Sequence, residues 1–226
     1  MSACPPSLRT LGAALALGLL GACALPPAAT AATKLPVPAL DAPPAAAHRE
    51  EVAVFAGGCF WGVQEVFEHV KGVRKTWAGY SGGDAATAHY DQVSEGDTGH
   101  AESVKLLFDP AQVSYGQLLQ VFFSVAANPT ELNRQGPDSG TQYRSVVFYA
   151  SPEQQRIAAA YLAQLGKAHV YAAPIVTQLV PLKAFYPAES WHQDYASQHP
   201  NDLYIVINDA PKVANLRQWF PALYMP

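Results

Sequence analysis

Cys59 stands in the run Gly57-Gly58-Cys59-Phe60-Trp61-Gly62, a lone thiol where a strand pattern gives way to a helical one. Val52 to Phe55 are β-branched or aromatic around one alanine, which predicts a short buried strand, and two glycines then allow a sharp turn. From Phe60 the apolar residues Phe60, Val63, Phe67 and Val70 recur at helical spacing. The thiol is therefore expected at a helix N-terminus, where unpaired N–H groups and the helix dipole favour an anion and lower a thiol's pKa. Phe60 and Trp61 place an apolar wall beside the sulfur. Local sequence leaves two readings open, a reactive thiolate or a small buried hydrophobe at a strand end.

A second polar cluster lies at Gly96-Asp97-Thr98-Gly99-His100-Ala101-Glu102. Glu102 opens a strand after a glycine-rich turn, and on its own a glutamate there is an exposed acid. His100-Ala101-Glu102 also matches half of a zinc deaminase signature, but the Pro-Cys-x-x-Cys half is missing from the chain. Tyr90, Tyr143 and His192 read locally as ordinary structural side chains, and Asp138 in Pro137-Asp138-Ser139-Gly140 as a turn former.

Taken together, Gly-Cys-Phe-Trp-Gly, the Gly96–Glu102 run, Thr87-Ala88-His89-Tyr90, Gln135 to Ser145 and Trp191-His192-Gln193-Asp194-Tyr195 resemble, in order, the motifs of the peptide methionine sulfoxide reductase A family. The resemblance runs from about Val52 to the C-terminus. It implies that Cys59 attacks the sulfoxide sulfur of the S-epimer of methionine sulfoxide and ends as a sulfenic acid, repairing oxidised proteins. It implies further that Glu102 protonates the sulfoxide oxygen, Tyr90 and Tyr143 hydrogen-bond that oxygen, Asp138 acts around the site through water, and Phe60 and Trp61 receive the methyl group. A carboxyl among aromatic residues has the raised pKa that such an acid needs. His192 matches a family motif but is assigned no chemical step.

Two departures from the family pattern matter. Ala127-Asn128-Pro129 replaces a His-Asp pair before the proline, which changes local hydrogen bonding. No cysteine follows Cys59, so the resolving cysteines that many members carry near the C-terminus are missing. No bound cofactor or metal is expected, and an external thiol reductant, thioredoxin-like or small, must restore Cys59. The rival readings are a one-cysteine thiol peroxidase, which needs an activating arginine near the thiol where the nearest in sequence is Arg74, and a non-enzymatic envelope lipoprotein with a packed cysteine.

Residues 1–22 hold one base, Arg9, no acid, and an apolar run from Leu11 to Ala22 too short for a comfortable membrane span, so they read as a secretory signal. Leu20-Gly21-Ala22-Cys23 resembles a lipoprotein box with Cys23 as the lipidated residue, and a cut after Ala29-Thr30-Ala31 is the alternative. Residues 23–49, rich in alanine and proline, are expected to form a flexible linker. The catalytic domain spans 50–226. Fourteen bases against 18 acids over 226 residues give no basic face, which argues against nucleic acid. These features predict an exported monomer of the cell envelope or periplasm, held to the membrane only by its lipid anchor.

The elements that position these residues are predicted as strands at 52–55, 73–80, 101–108, 144–150, 175–180 and 203–207. Capping boxes at Ser114–Gln117 and Ser151–Gln154 open two helices, a short helix covers 191–198, and a polar loop covers 127–142. Strands and helices mix without strict alternation, which predicts an α+β fold: a mixed rolled β-sheet with flanking helices. The resemblance adds a ferredoxin-like core.

Overall fold

β1 (Glu51–Ala56) runs through the middle of a six-stranded sheet. Its side chains alternate between two apolar clusters, Ala53 and Phe55 on one face and Val54 and Ala56 on the other, all fully buried. A strand with both faces apolar must be covered on both sides. On the first face the Phe55 ring stacks on Phe122 at 5.1 Å and meets Phe67 at 5.6 Å, which fixes how two helices lie over the strand. The computed structural model describes residues 33–226 apart from positions 44 and 46, so the expectations for the leader and for Cys23 lie outside the described residues.

α1 (Phe60–Glu68) carries the chain over that face to β2 (Val73–Ser81), which pairs with β3 (Ala101–Phe108) and not with β1. β3 lies antiparallel to both, so β1 and β2 are parallel with a strand between them. A short helix α2 (Tyr90–Val93) lies in the β2–β3 connection. α3 (Tyr115–Val121) starts at the complete capping box of Ser114 and Gln117, and its last turn widens into a π-helical segment, Phe122–Ala126. After the small hairpin β4 (Arg134–Gln135) and β5 (Asp138–Ser139), β6 (Val146–Tyr149) returns beside β1. The succession β1-α1-β2-β3-α3-β6 with spatial order β6-β1-β3-β2 is the ferredoxin-like split βαβ arrangement. α4 (Pro152–Lys167) leads to β7 (Gln178–Pro181), parallel to β6, and β8 (Tyr186–Pro187) closes the other edge against β2. The mixed α+β sheet is as expected.

Three local expectations differ from the structure. The segment 203–207 is helical, not a strand: Ile205–Asp209 form a π-helical turn that runs into α6 (Ala210–Trp219). Asp202 starts that helix by accepting the Tyr204 N–H on Oδ1 at 2.8 Å, and only Ile205 and Asp209 turn fully inward, a helical period and not an alternating one. The helix expected over 191–198 is split into a short turn, Ser190–His192, and α5 (Tyr195–Gln198), because Asp194 adopts a left-handed φ of +55°. Gln64 holds Asp194 there through two 3.1 Å bonds, donating to its Oδ1 and accepting its N–H. The linker expected to stay flexible over 23–49 is docked where it is described: Leu35 is buried, its N–H donates to Ser124 Oγ at 3.1 Å and its carbonyl accepts from Gln120 at 2.7 Å. Asp41 accepts the Gly116 N–H at 2.9 Å, tying the segment to α3. Apolar and capping contacts here outweigh the extended bias of the prolines.

Candidate active site

β1 delivers the chain to Gly57 and Gly58, and both glycines are required by close approach. A Cβ on Gly57 would lie 2.5 Å from the Ala127 Cβ, and Gly58, at φ +93°, is pressed against Gln135. The turn puts Cys59 at the N-cap of α1, 9% exposed and on the wall of a cavity of about 310 Å³. The placement agrees with the sequence, but the direction of the thiol's pKa does not. Burial pushes it well up, the charges of Glu102 and Asp209 push it further, and the Trp61 N–H and Lys212 only partly oppose this. Burial first, and two acids after it, thus outweigh the helix terminus, and Cys59 is held as a neutral thiol.

Glu102, the second residue of β3, is 4% exposed and accepts the Phe60 N–H on Oε2 at 3.0 Å. Burial raises its carboxyl to about 8 against the pull of that N–H, and the charge of Asp138 adds to the rise. A carboxyl that keeps its proton near neutral pH beside a thiol is a proton donor in position. The turn before β3 is pinned by Arg144, which donates to the carbonyls of Gly99, His100 and Thr141 at 2.8 Å each. One guanidinium therefore fixes both Glu102 and the short turn that carries Tyr143.

Tyr143 is half-buried, and its hydroxyl is driven up by burial and by the charges of Glu102, Asp138 and Cys59, so all four groups share one space. Tyr90 is placed by its N–H, which donates to Glu189 Oε1 at 2.9 Å, and its ring meets Trp191 edge-on at 5.2 Å. Asp138 accepts the Tyr204 hydroxyl at 2.5 Å. Phe60 is almost fully buried, packed 4.8 Å from His192 and 5.9 Å from Tyr80. Trp61 stacks on Tyr195 at 3.8 Å and donates its indole N–H to His192 Nδ1 at 3.1 Å. His192 is fully buried and pushed down to about 4 by burial, and by accepting the indole N–H it orients Trp61. Every residue singled out from the sequence within the described part, Cys59, Phe60, Trp61, Tyr90, Glu102, Asp138 and Tyr143, falls in this one region.

Three residues of the site were not found from sequence. Tyr204 holds Asp138, while Asp209 and Lys212 form an ion pair of 3.0 Å whose charges reach Cys59. Each lies more than 140 residues from Cys59 in the chain, and no local pattern announces them. The arginine that a thiol peroxidase needs is not among the charges acting on Cys59, and the Arg74 guanidinium is bound to Asp109 at 2.9 Å.

Comparison with known proteins agrees with this arrangement. The family model described as peptide methionine sulfoxide reductase matches residues 51–222. The chain is 61% identical over 179 residues to the peptide methionine sulfoxide reductase MsrA 2 of Mesorhizobium japonicum, covering 79% of this chain and 92% of the relative. It is 48% identical over 188 residues to the MsrA 2 of Synechocystis, covering 82% and 88%. Among solved structures, reduced Mxr1 from Saccharomyces cerevisiae superposes with a TM-score of 0.61 at 30% identity, covering 68% of this chain and 87% of that one. Methionine sulfoxide reductase A of Corynebacterium diphtheriae gives 0.58 at 34%, covering 67% and 76%. A buried thiol and a protonated carboxyl at one helix terminus, with the relatives just named, have one reading: the chain belongs to the peptide methionine sulfoxide reductase family, thiol-dependent enzymes that return methionine sulfoxide to methionine and so repair oxidised proteins.

Proposed function

We propose that the chain reduces the S-epimer of methionine sulfoxide with Cys59 as nucleophile and Glu102 as acid. The observation that carries this reading is the protonated, buried Glu102 beside the Cys59 turn. Glu102 gives its proton to the sulfoxide oxygen, which leaves the sulfur open to attack by Cys59 Sγ. The thiol proton, released as the new S–S bond forms, restores Glu102. The hydroxyl then passes from the methionine sulfur to Cys59 as the S–O and new S–S bonds both break, the S–S electron pair stays on the methionine sulfur, and the products are methionine and a Cys59 sulfenic acid. Tyr90 and Tyr143 hold the oxygen by hydrogen bonds, Tyr204 holds Asp138, which acts around the site through water, and Phe60 and Trp61 bound the methyl group.

The sulfenic acid is then reduced from outside: a first thiol condenses with it to a mixed disulfide and water, and a second thiol releases Cys59 as the external disulfide forms. A thioredoxin-like protein or a small thiol fits this role, since no cysteine follows Cys59. The leader and Cys23 support export and anchoring by lipid in the cell envelope; no helix among the described residues is long and apolar enough to cross a membrane. The test is to incubate separate S- and R-sulfoxide epimers of a short peptide with the protein and a dithiol, beside Cys59→Ser. Turnover of the S-epimer alone, lost in Cys59→Ser, is expected. Turnover of the R-epimer, or retained turnover in the serine variant, overturns the reading.

A further inference from the structure

The carboxylate of Asp209 is fully buried, yet only one of its oxygens is bonded: Oδ1 meets Lys212 Nζ at 3.0 Å, and Oδ2 has no partner. Leaving a buried acceptor unpaired costs about 1–3 kcal/mol, so the placement calls for a reason. Both members of the pair lie on Gly62, in the first turn of the helix that Cys59 caps. A Cβ on Gly62 would be 2.0 Å from Asp209 Oδ1 and 2.9 Å from Lys212 Nζ. The last glycine of the Gly-Cys-Phe-Trp-Gly run is thereby the seat of an ion pair from the far end of the chain. Lys212 also lines the cavity that Cys59 opens into.

We propose that Asp209 and Lys212 are positioning residues that set the charge state of Cys59, the aspartate holding it as a thiol and the lysine limiting that effect. This rests on Cys59 being the nucleophile. The other ionisable groups around the site are Glu102 on β3, Asp138 on β5, Tyr143 on the following turn, Tyr195 on α5 and Tyr204 at the start of the last helix. Glu102 is protonated up to about pH 8 and the tyrosines are neutral there, while burial pushes the Asp209 carboxyl itself up and Lys212 opposes that rise, keeping the aspartate's charge dependent on its partner. Lys212 is the single cation among the groups acting on Cys59, and it is bound to the aspartate that opposes it. The pair packs on the first turn of the Cys59 helix from the C-terminal helix, and its consequence is a nucleophile that reacts slowly with general thiol reagents.

The experiment follows the rate of iodoacetamide alkylation at Cys59 against pH in the full chain, read on the Cys59 peptide by mass spectrometry. It thus needs no turnover and is separate from the sulfoxide assay that tests the reaction itself. Asp209→Asn leaves Lys212 acting alone, and Cys59 is expected to react on the order of tenfold faster at pH 8, its midpoint moved down by about one pH unit. Lys212→Gln leaves the aspartate unopposed, and the rate is expected to fall several-fold with the midpoint moved up. A merely structural role loosens the site in both variants and speeds both. Shifts of the same sign, or none in variants that keep the parent's melting curve, overturn the proposal. If Asp209→Asn does not fold, Lys212→Gln decides alone: a rate equal to or above the parent's overturns it.

Discussion

Glu102 Oε2 takes the Phe60 N–H at 3.0 Å, so the first free amide of the helix that Cys59 caps is bound to a carboxyl and not to the sulfur. The bond draws Glu102 to the helix terminus, and burial keeps it protonated there to about pH 8. Glu102→Gln keeps the shape and the Phe60 bond but removes the proton. Sulfoxide reduction at pH 7 is expected to fall about 10²–10⁴-fold, the usual worth of a positioned acid. A rate within threefold of the parent's, measured as kcat/KM on an S-sulfoxide peptide, would show that the proton comes from elsewhere.

The same carboxyl gives the parent a pH signature. Folded, Glu102 holds its proton to about 8, whereas the ordinary glutamate value is 4.5. Between those values the folded chain binds more protons than the unfolded one at this site. Its contribution to stability is therefore largest below pH 4.5, declines as pH rises through 8, and is level above. Sulfoxide reduction by the parent is expected to fall across pH 8 as the acid ionises. Glu102→Gln should melt at a higher temperature than the parent at pH 8.5 while being far less active. A lower melting temperature for the glutamine variant at that pH would contradict the buried, strained acid.

Gly62→Ala tests the seat of the Asp209–Lys212 pair by size instead of charge. Alanine favours a helix by up to about 1 kcal/mol over glycine, but its Cβ would lie 2.0 Å from Asp209 Oδ1, and overpacking of that kind costs about 1–3 kcal/mol. A net fall in melting temperature of a few degrees is expected. A stabilised alanine variant would mean that Asp209 moves aside freely.

How far the sequence discloses this site depends on how local each part is. β3 matches its expected bounds, 101–108, because a run of alternating apolar residues ends at Asp109-Pro110. The Ser114–Gln117 capping box is readable because both partners lie within one turn. Leu203 to Ile207 misleads because β-branched residues favour a strand, while Asp202 and the inward turn of Ile205 and Asp209 decide for a helix. The direction of the Cys59 thiol is not legible in sequence because its helix terminus is local, whereas the burial that overrules it is tertiary and the two acids that add to it come from β3 and from the C-terminal helix. Tyr204, Asp209 and Lys212 act only through tertiary contact, so no spacing rule reaches them.

Tyr204→Phe separates Asp138 from the hydroxyl that it accepts at 2.5 Å. If Tyr204 serves by holding the Asp138 carboxylate in place, kcat/KM should fall about tenfold or more, in line with the roughly 1.5–3 kcal/mol of a hydrogen bond to a charged group. The loss should appear in kcat and not in KM, since the developing charge on oxygen arises only during reaction. An unchanged kcat with a raised KM would place Tyr204 in substrate binding instead.

Turnover without a resolving cysteine makes the sharpest prediction. Cys59 is the free cysteine of the described residues, and the other two, Cys4 and Cys23, precede the catalytic domain in the expected leader and at the expected lipidation site. One equivalent of sulfoxide peptide, added without reductant, should release one methionine per chain and leave a persistent sulfenic acid, because no internal thiol condenses with it. Dimedone should trap it as an adduct on Cys59, seen by intact mass and by the mass of the Cys59 peptide. Reactivation should then be bimolecular, its rate proportional to the concentration of added thiol, because the attacking sulfur comes from outside. Release of two methionines per chain before any reductant is present would refute the scheme, since that stoichiometry requires a second reducing group within the molecule.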